Sequence, residues 1–188
     1  MIRRDPDHTR AVNNRPPVWT AGHSTRPISE FIALLQSAAI TIVGDVRRFP
    51  GSRRYPQYNQ SSLIDSLASA GIDYLALPEL GGRRKPWADS PHTAWRNASF
   101  RAYADYMDTD AFRQGVDRVL ALAGHQRMAL MCSEAVWWRC HRALIADYLK
   151  ARGHAVIHLL SPAKHEAHPY TSAARIVHGQ LSYAEAAS

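Results

Sequence analysis

Residues 40–46 read ITIVGDV. The run is rich in β-branched side chains, is too short for a stable helix and closes on an acid, Asp45. It predicts a strand buried on both faces whose far end carries a carboxylate. On its N-terminal side, ISEFIALLQSAAI (28–40) places apolar residues at 28, 31, 32, 35 and 39, a stripe of helical period. Ser24 or Thr25 is positioned to cap that helix, and Pro27 falls in its first turn. On the other side regular structure stops. The stretch DVRRFPGSRRYPQYNQ (45–60) packs four arginines, three aromatics and two prolines behind one aspartate, a composition that suits neither helix nor strand.

The alternation continues in both directions. VWTAG (18–22) predicts a short strand, SSLIDSLASAG (61–71) a helix stopped by Gly71, and IDYLALPEL (72–80) a third strand halted at Pro78. GGRRKPWADSPHTAWRNA (81–98) is a long loop, and one or two helices cover 99–124. RMALMC (127–132) is the fourth strand, AVWWRCHRALIADYLKARG (135–153) a helix, with one of Trp137 and Trp138 in the core, and HAVIHLL (154–160) the fifth strand. Residues 161–188 read as loosely ordered, with at most one short helix, and residues 1–16 as a flexible arm ahead of a single domain at 17–188. Strands alternating with helices imply right-handed βαβ units. The expected class is therefore α/β: one mostly parallel, five-stranded, Rossmann-like sheet with helices on both faces and long basic loops at the strand C-terminal edge.

At 188 residues, 46% hydrophobic and 21% charged, the composition is that of a globular chain able to bury a full core. No apolar run approaches the roughly 20 residues of a membrane span, and the N-terminal segment lacks the apolar centre of a secretory signal. The expected compartment is the cytoplasm, where the two cysteines would stay reduced. Net charge is +7, and only three of the 23 basic residues are lysine. Arginine grips phosphate with a planar fork, which makes nucleic acid the expected partner; an arginine-rich solvated surface is the competing explanation.

In an open α/β sheet ligands bind beyond the carboxyl ends of the strands. The polar residues just past the predicted strands are His23 and Ser24, Asp45 and Arg47, Glu79 to Arg84, and Cys132 to Glu134. Asp45 and Glu134 are carboxylates able to orient a water or stabilise a developing cation. Each also has a structural alternative: Asp45 pairing with Arg47, and Glu134 capping the helix after it. In CSEAVWWRCHR (132–142), Cys132 at a helix start has the placement of a nucleophile, although the spacing to Arg139 and the lack of glycines depart from phosphatase loops. His141 and Arg142, one turn into that helix, are within reach of the site or of a phosphate. Cys132, Cys140 and His141 lack paired Cys-x-x-Cys spacing and a fourth ligand, so no metal and no cofactor is expected. The five histidines between 154 and 178 read as surface residues. Two basic loops repeat one design: Arg48, Arg53 and Arg54 with Tyr55 and Tyr58, then Arg83, Arg84, Lys85 and Arg96 with Trp87. Arginines neutralise phosphates, and aromatic rings stack on bases.

GHS at 22–24, DVR at 45–47, PGS at 50–52, GIDYLALPELGG at 71–82, LMCSE at 130–134 and CHR at 140–142 together resemble the DUF488 family, over about residues 18 to 160. The resemblance implies an α/β fold. It also implies a link, known for some relatives, to DNA base excision of modified pyrimidines such as 5-hydroxymethyluracil. The family positions carried here are His23, Ser24, Asp45, Arg47, Ser52, Tyr74, Gly81, Gly82, Cys132, Glu134, Cys140, His141 and Arg142. The resulting expectation is a monofunctional DNA glycosylase acting on a flipped base. Asp45 or Glu134 would stabilise the oxocarbenium ion, with His23 assisting. Ser24, Arg47, Ser52, Tyr58, Tyr74, Gly81, Gly82, Cys132, His141 and Arg142 would hold the substrate. Of the three lysines, only Lys85 is placed to act as a lyase. A Cys132-dependent enzyme of sulfur or phosphoryl chemistry and a non-catalytic nucleic-acid binder are the alternatives.

Overall fold

A computed structural model describes residues 15–185, so most of the expected N-terminal arm lies outside the described residues. The order along the chain is β1 (Val18–Gly22), α1 (Ile28–Gln36), β2 (Ile42–Asp45), α2 (Gln60–Ser69), β3 (Asp73–Ala76), α3 (Ala98–Met107), α4 (Asp110–Ala123), β4 (Met128–Cys132), α5 (Arg142–Ala151), β5 (Val156–Ser161) and β6 (Lys164–Ala167), followed by a hairpin of β7 (Arg175–Val177) and β8 (Gln180–Ser182). The sheet order is β3-β2-β4-β1-β5-β6. Within this sheet all pairings are parallel except β5 with β6, and β7 pairs antiparallel with β8.

The burial pattern of ITIVGDV explains the layering. Val43 faces one apolar cluster with Phe31, Leu34 and Leu35 of α1 and Leu63 and Leu67 of α2. Ile42 and Val46 face the other, built on Tyr103 of α3, Phe112 and Val116 of α4, and Leu144 and Leu149 of α5. Covered on both sides, the strand has no polar alternation, as its sequence predicts. The helical span 99–124 divides at Thr109, whose hydroxyl oxygen accepts from the Phe112 amide at 3.3 Å and caps α4. The expected cap of α1 is absent: Pro27 stands at the N-cap with no side-chain bond, and Ser24 is in a left-handed conformation (φ 51°).

Two expectations need correction. The helix expected over 135–153 begins only at Arg142, and a short 3₁₀ turn over Trp137–Arg139 precedes it, with Trp137 buried and Trp138 half-exposed. The C-terminal region is not loose. It adds a sixth, antiparallel edge strand and a hairpin, and Ala173 and Tyr183 are buried in the core. Its anchor is a buried polar chain that includes two of the histidines read as surface residues. Arg142 donates to Thr20 Oγ1 at 3.3 Å, and Thr20 bonds His158 Nδ1 at 2.7 Å. His158 Nε2 then meets His168 Nδ1 at 2.9 Å, and His168 Nε2 donates to Asp147 at 2.9 Å. One consistent set of directions has every link donating toward Asp147, with both imidazoles neutral. Burial lowers the His158 pKa far below the usual imidazole range, in keeping with that.

Asp147 also accepts from the Thr171 amide and hydroxyl and from Tyr183 OH. Replacing Asp147 with alanine strands four donors, two of them fully buried, so Asp147→Ala is expected to cost about 3–5 kcal/mol. Removing the exposed partner of Arg152 in Asp117→Ala leaves stability unchanged. Urea unfolding of the two variants against the parent chain checks the contrast.

Candidate active-site cleft

The topology fixes where a site forms. The connections leaving β1 and β2 run over one face of the sheet and those leaving β3 and β4 over the other, because α1 and α2 pack on one cluster and α3 to α5 on the opposite one. The connections leaving neighbouring β1 and β4 therefore diverge to opposite faces and leave a crevice beyond the strand ends. Pairing continues one step past the strands: the His23 and Ser24 amides donate to the Cys132 and Ser133 carbonyls at 3.0 and 2.9 Å. The loop after β4 lies so close over β1 that a Cβ on Gly22 would sit 1.9 Å from the Glu134 carbonyl oxygen. Only glycine fits there.

The crevice is a cleft of about 780 Å³, within the range of ligand sites. His23, Ser24, Arg47, Ser52, Gly82, Cys132, Glu134 and His141, all expected at the site, line it, as do Arg48, Tyr55 and Arg83 from the expected nucleic-acid surface. The two basic loops meet, because an Arg48 guanidinium nitrogen donates to the Arg83 carbonyl at 2.5 Å. Ser24 and Arg83 hold left-handed backbones (φ 51° and 56°), so strained positions cluster at this cleft. Glu134 is exposed, and it is the one acidic side chain among the described residues lining the cleft.

Other expected residues take different places. Asp45 is only 2% exposed. Its carboxylate accepts from the Arg47 amide at 3.0 Å, from Arg47 Nε at 2.9 Å and NH2 at 2.6 Å, and from Tyr74 OH at 2.9 Å. A carboxylate offers about four acceptor positions, so none remains for water or substrate. Asp45 is a structural anion beneath the cleft, and the catalytic role expected of it is withdrawn. Tyr74 is its partner; burial and then the Asp45 charge raise the phenol pKa. Tyr58 is fully buried, stacked on His23 with ring centroids 3.9 Å apart, and donates from its hydroxyl to the Arg26 carbonyl. Gly81 is packed against the Arg48 backbone. Arg142 is buried and donates to Thr20, to Cys140 Sγ and to the Glu134 carbonyl. Tyr58, Tyr74, Gly81 and Arg142 thus shape the site without lining it.

The second basic loop contributes less than its composition suggests. Arg84 lies 3.5 Å above the Tyr106 ring and donates to the Gly81 carbonyl. Lys85, Trp87 and Arg96 are exposed outside the cleft, as are Arg53 and Arg54 of the first loop. Sequence reading missed Ser99, Phe100 and Tyr103 of α3, which form one wall, and underrated Phe49 and Arg139. No local motif marks the α3 residues. Their place follows from how α3 packs.

His23 is neutral. Its Nδ1–H donates to the Ser24 carbonyl at 2.9 Å, and Arg47 NH1 stands 3.5 Å from Nε2. Burial, with Arg47 adding to it, lowers its pKa to about 4. The two sulfurs diverge. The hydrogen bond with Cys140, then burial, pushes Cys132 up to about 12. Burial acts to raise Cys140 as well, but the Cys132 hydrogen bond and the Arg142 charge outweigh it and bring the thiol down to about 6.

The DUF488 family model, described as a domain of unknown function, matches residues 27–149. No curated protein and no solved structure matches the chain. No helix among the described residues is long and apolar enough to cross a membrane.

His23 generates a pH prediction. Its folded pKa lies below the unfolded value of about 6.5, so its neutral burial contributes fully above pH 6.5 and is lost as pH falls towards about 4. The loss approaches about 3 kcal/mol for that shift. Urea midpoints from pH 7.5 to 4.5 should fall for the parent chain and fall less for His23→Phe. The match over residues 27–149, more than half of the chain, makes the protein a member of the DUF488 family.

Proposed function

We propose that the chain hydrolyses the N-glycosidic bond of a modified pyrimidine, such as 5-hydroxymethyluracil, flipped out of duplex DNA. One observation carries the reading: a single exposed carboxylate, Glu134, stands in a cleft walled by the exposed arginines Arg48, Arg83 and Arg139 and by the rings of Phe49, Tyr55 and Phe100. Cleaving the bond from the base nitrogen to C1′ leaves oxocarbenium character on the sugar, and a carboxylate beside it stabilises that charge and takes a proton from the attacking water. The C1′–O bond forms from water, and the base departs with the bonding electrons and a proton. The arginines suit phosphates on either side of the extruded nucleotide, and the rings suit a base. A monofunctional course fits the lysines. None lines the cleft, and Lys150 Nζ donates to the His168 carbonyl, so among the described residues no lysine amine stands ready for a Schiff base.

The test is a panel of duplexes and single-stranded RNAs, each carrying one modified pyrimidine, scored for strand breaks after alkali. Release from one substrate, reduced about 10²–10⁴-fold by Glu134→Gln with binding retained, is the expected result. Salt-dependent binding with no release from any substrate would leave only a nucleic-acid binder and overturn the proposal. Arg48→Ala and Arg83→Ala should each weaken DNA binding at all sequences and lower the slope of log K against log salt by about 1. Arg53→Ala, outside the cleft, should change that slope less.

A further inference from the structure

The sequence spacing of Cys132, Cys140 and His141 spoke against a metal, but the fold supplies what the spacing lacks. Cys132 ends β4, Cys140 closes the 3₁₀ turn and His141 opens α5, and their ligand atoms all lie within 4.8 Å of one another. His141 Nδ1 is 3.7 Å from Cys140 Sγ. Tetrahedral zinc with its usual sulfur and nitrogen bond lengths places neighbouring ligand atoms about 3.5–3.8 Å apart. The imidazole is oriented from behind: Nε2 lies 3.2 Å from the Val46 carbonyl, an acceptor only, so Nε2 carries the proton and Nδ1 presents its lone pair to the sulfurs. That is the outer hydrogen bond that metal-bound histidines use. Gly82 keeps this side of the ring open, since a Cβ there would stand 2.9 Å from Nδ1.

Charge supplies a second, independent pointer. Arg142 is 1% exposed, and no carboxylate lies within ion-pair distance of it among the described residues. The buried anion Asp147 is reached only through Thr20, His158 and His168. The guanidinium instead directs Nε at Cys140 Sγ, 3.4 Å away. A buried cation aimed at sulfur fits sulfur that carries negative charge.

We propose that Cys132, Cys140 and His141 form a binding site for one borderline-soft divalent cation, zinc foremost, at the floor of the cleft. Binding exchanges the thiol protons for the metal and releases them to solvent. Three protein ligands leave the fourth position facing the cavity that all three residues line, the pattern of zinc sites that hold water or substrate. Glu134, two residues from Cys132, stands in the same cavity. The site does not depend on the glycosidic reading, and the two fail separately: Glu134→Gln should lower base release about 10²–10⁴-fold and still bind metal.

The test uses the full chain, reduced and stripped with a chelator, then titrated with Zn²⁺ and separately with Co²⁺. The expected result is one equivalent of each, loss of two titratable thiols on zinc binding, and a cobalt spectrum with thiolate charge-transfer and tetrahedral bands. Cys140→Ser, Cys132→Ser and His141→Ala should each weaken zinc binding at least about 100-fold, consistent with loss of a direct ligand, while His165→Ala leaves it unchanged. Gly82→Ala, which alters no ligand, should weaken binding by crowding Nδ1. Failure of the parent chain to bind one equivalent, a cobalt spectrum without sulfur ligation, or full binding in Cys132→Ser/Cys140→Ser would overturn the proposal.

Discussion

The cleft depends on a buried ion pair. Asp45 and Arg47 lie two residues apart where β2 ends, and both are withdrawn from solvent (side chains 1% and 7% exposed). A pair buried this deeply yields little net stability, because desolvation offsets most of the attraction, but removing one member leaves an uncompensated charge. Its effect is geometric. Arg47 turns back onto its own strand end, donates to the Tyr58 carbonyl at 2.8 Å and approaches His23. The arginine-rich loop is thereby pinned to β2 at one end and to the stacked His23–Tyr58 pair at the other. A loop this rich in proline and arginine has little apolar surface to hold it, so the buried guanidinium serves as its local core.

How much of this the sequence disclosed varied with whether the signal was local. The five parallel strands were legible because each is a short apolar run closed by glycine, proline or a polar switch, and that pattern arises from burial on both faces. Most strand-end residues were legible for the same reason: whatever follows such a run sits at the sheet edge. The sixth strand was not, since KHEA is a polar edge strand with only Glu166 half-buried, and edge strands need not look apolar. The β7–β8 hairpin did leave a trace: His178 and Gly179 both adopt positive φ (49° and 78°), and a residue pair ending in glycine between β-prone runs is a hairpin signal. The late start of α5 was hidden because AVWWRCHR carries helix-compatible apolar spacing, while the close approach of Glu134 to Gly22 and the burial of Arg142 hold the segment out of the helix. Which aspartates and histidines are buried was beyond any local pattern. His158 and His168 are interior because partners from β1 and α5, distant in sequence, complete their hydrogen bonds.

The two acids that looked equivalent in the sequence have opposite surroundings for one physical reason. In Asp45 the side chain is fixed and saturated, and the backbone continues a strand. In Glu134 the backbone is fixed and the side chain is left exposed: the peptide carbonyl is clamped between Gly22, which has no Cβ to exclude it, and the Arg142 guanidinium, 2.5 Å away. A carboxylate of the first kind can only shape a wall. One of the second kind has a fixed backbone and a side chain left free to meet a ligand. Arg142 thus links three things through one side chain: where Glu134 stands, where the Cys140 sulfur stands, and, through Thr20 and the two buried histidines, the packing of the C-terminal strands. A change at Arg142 itself would therefore reach all three.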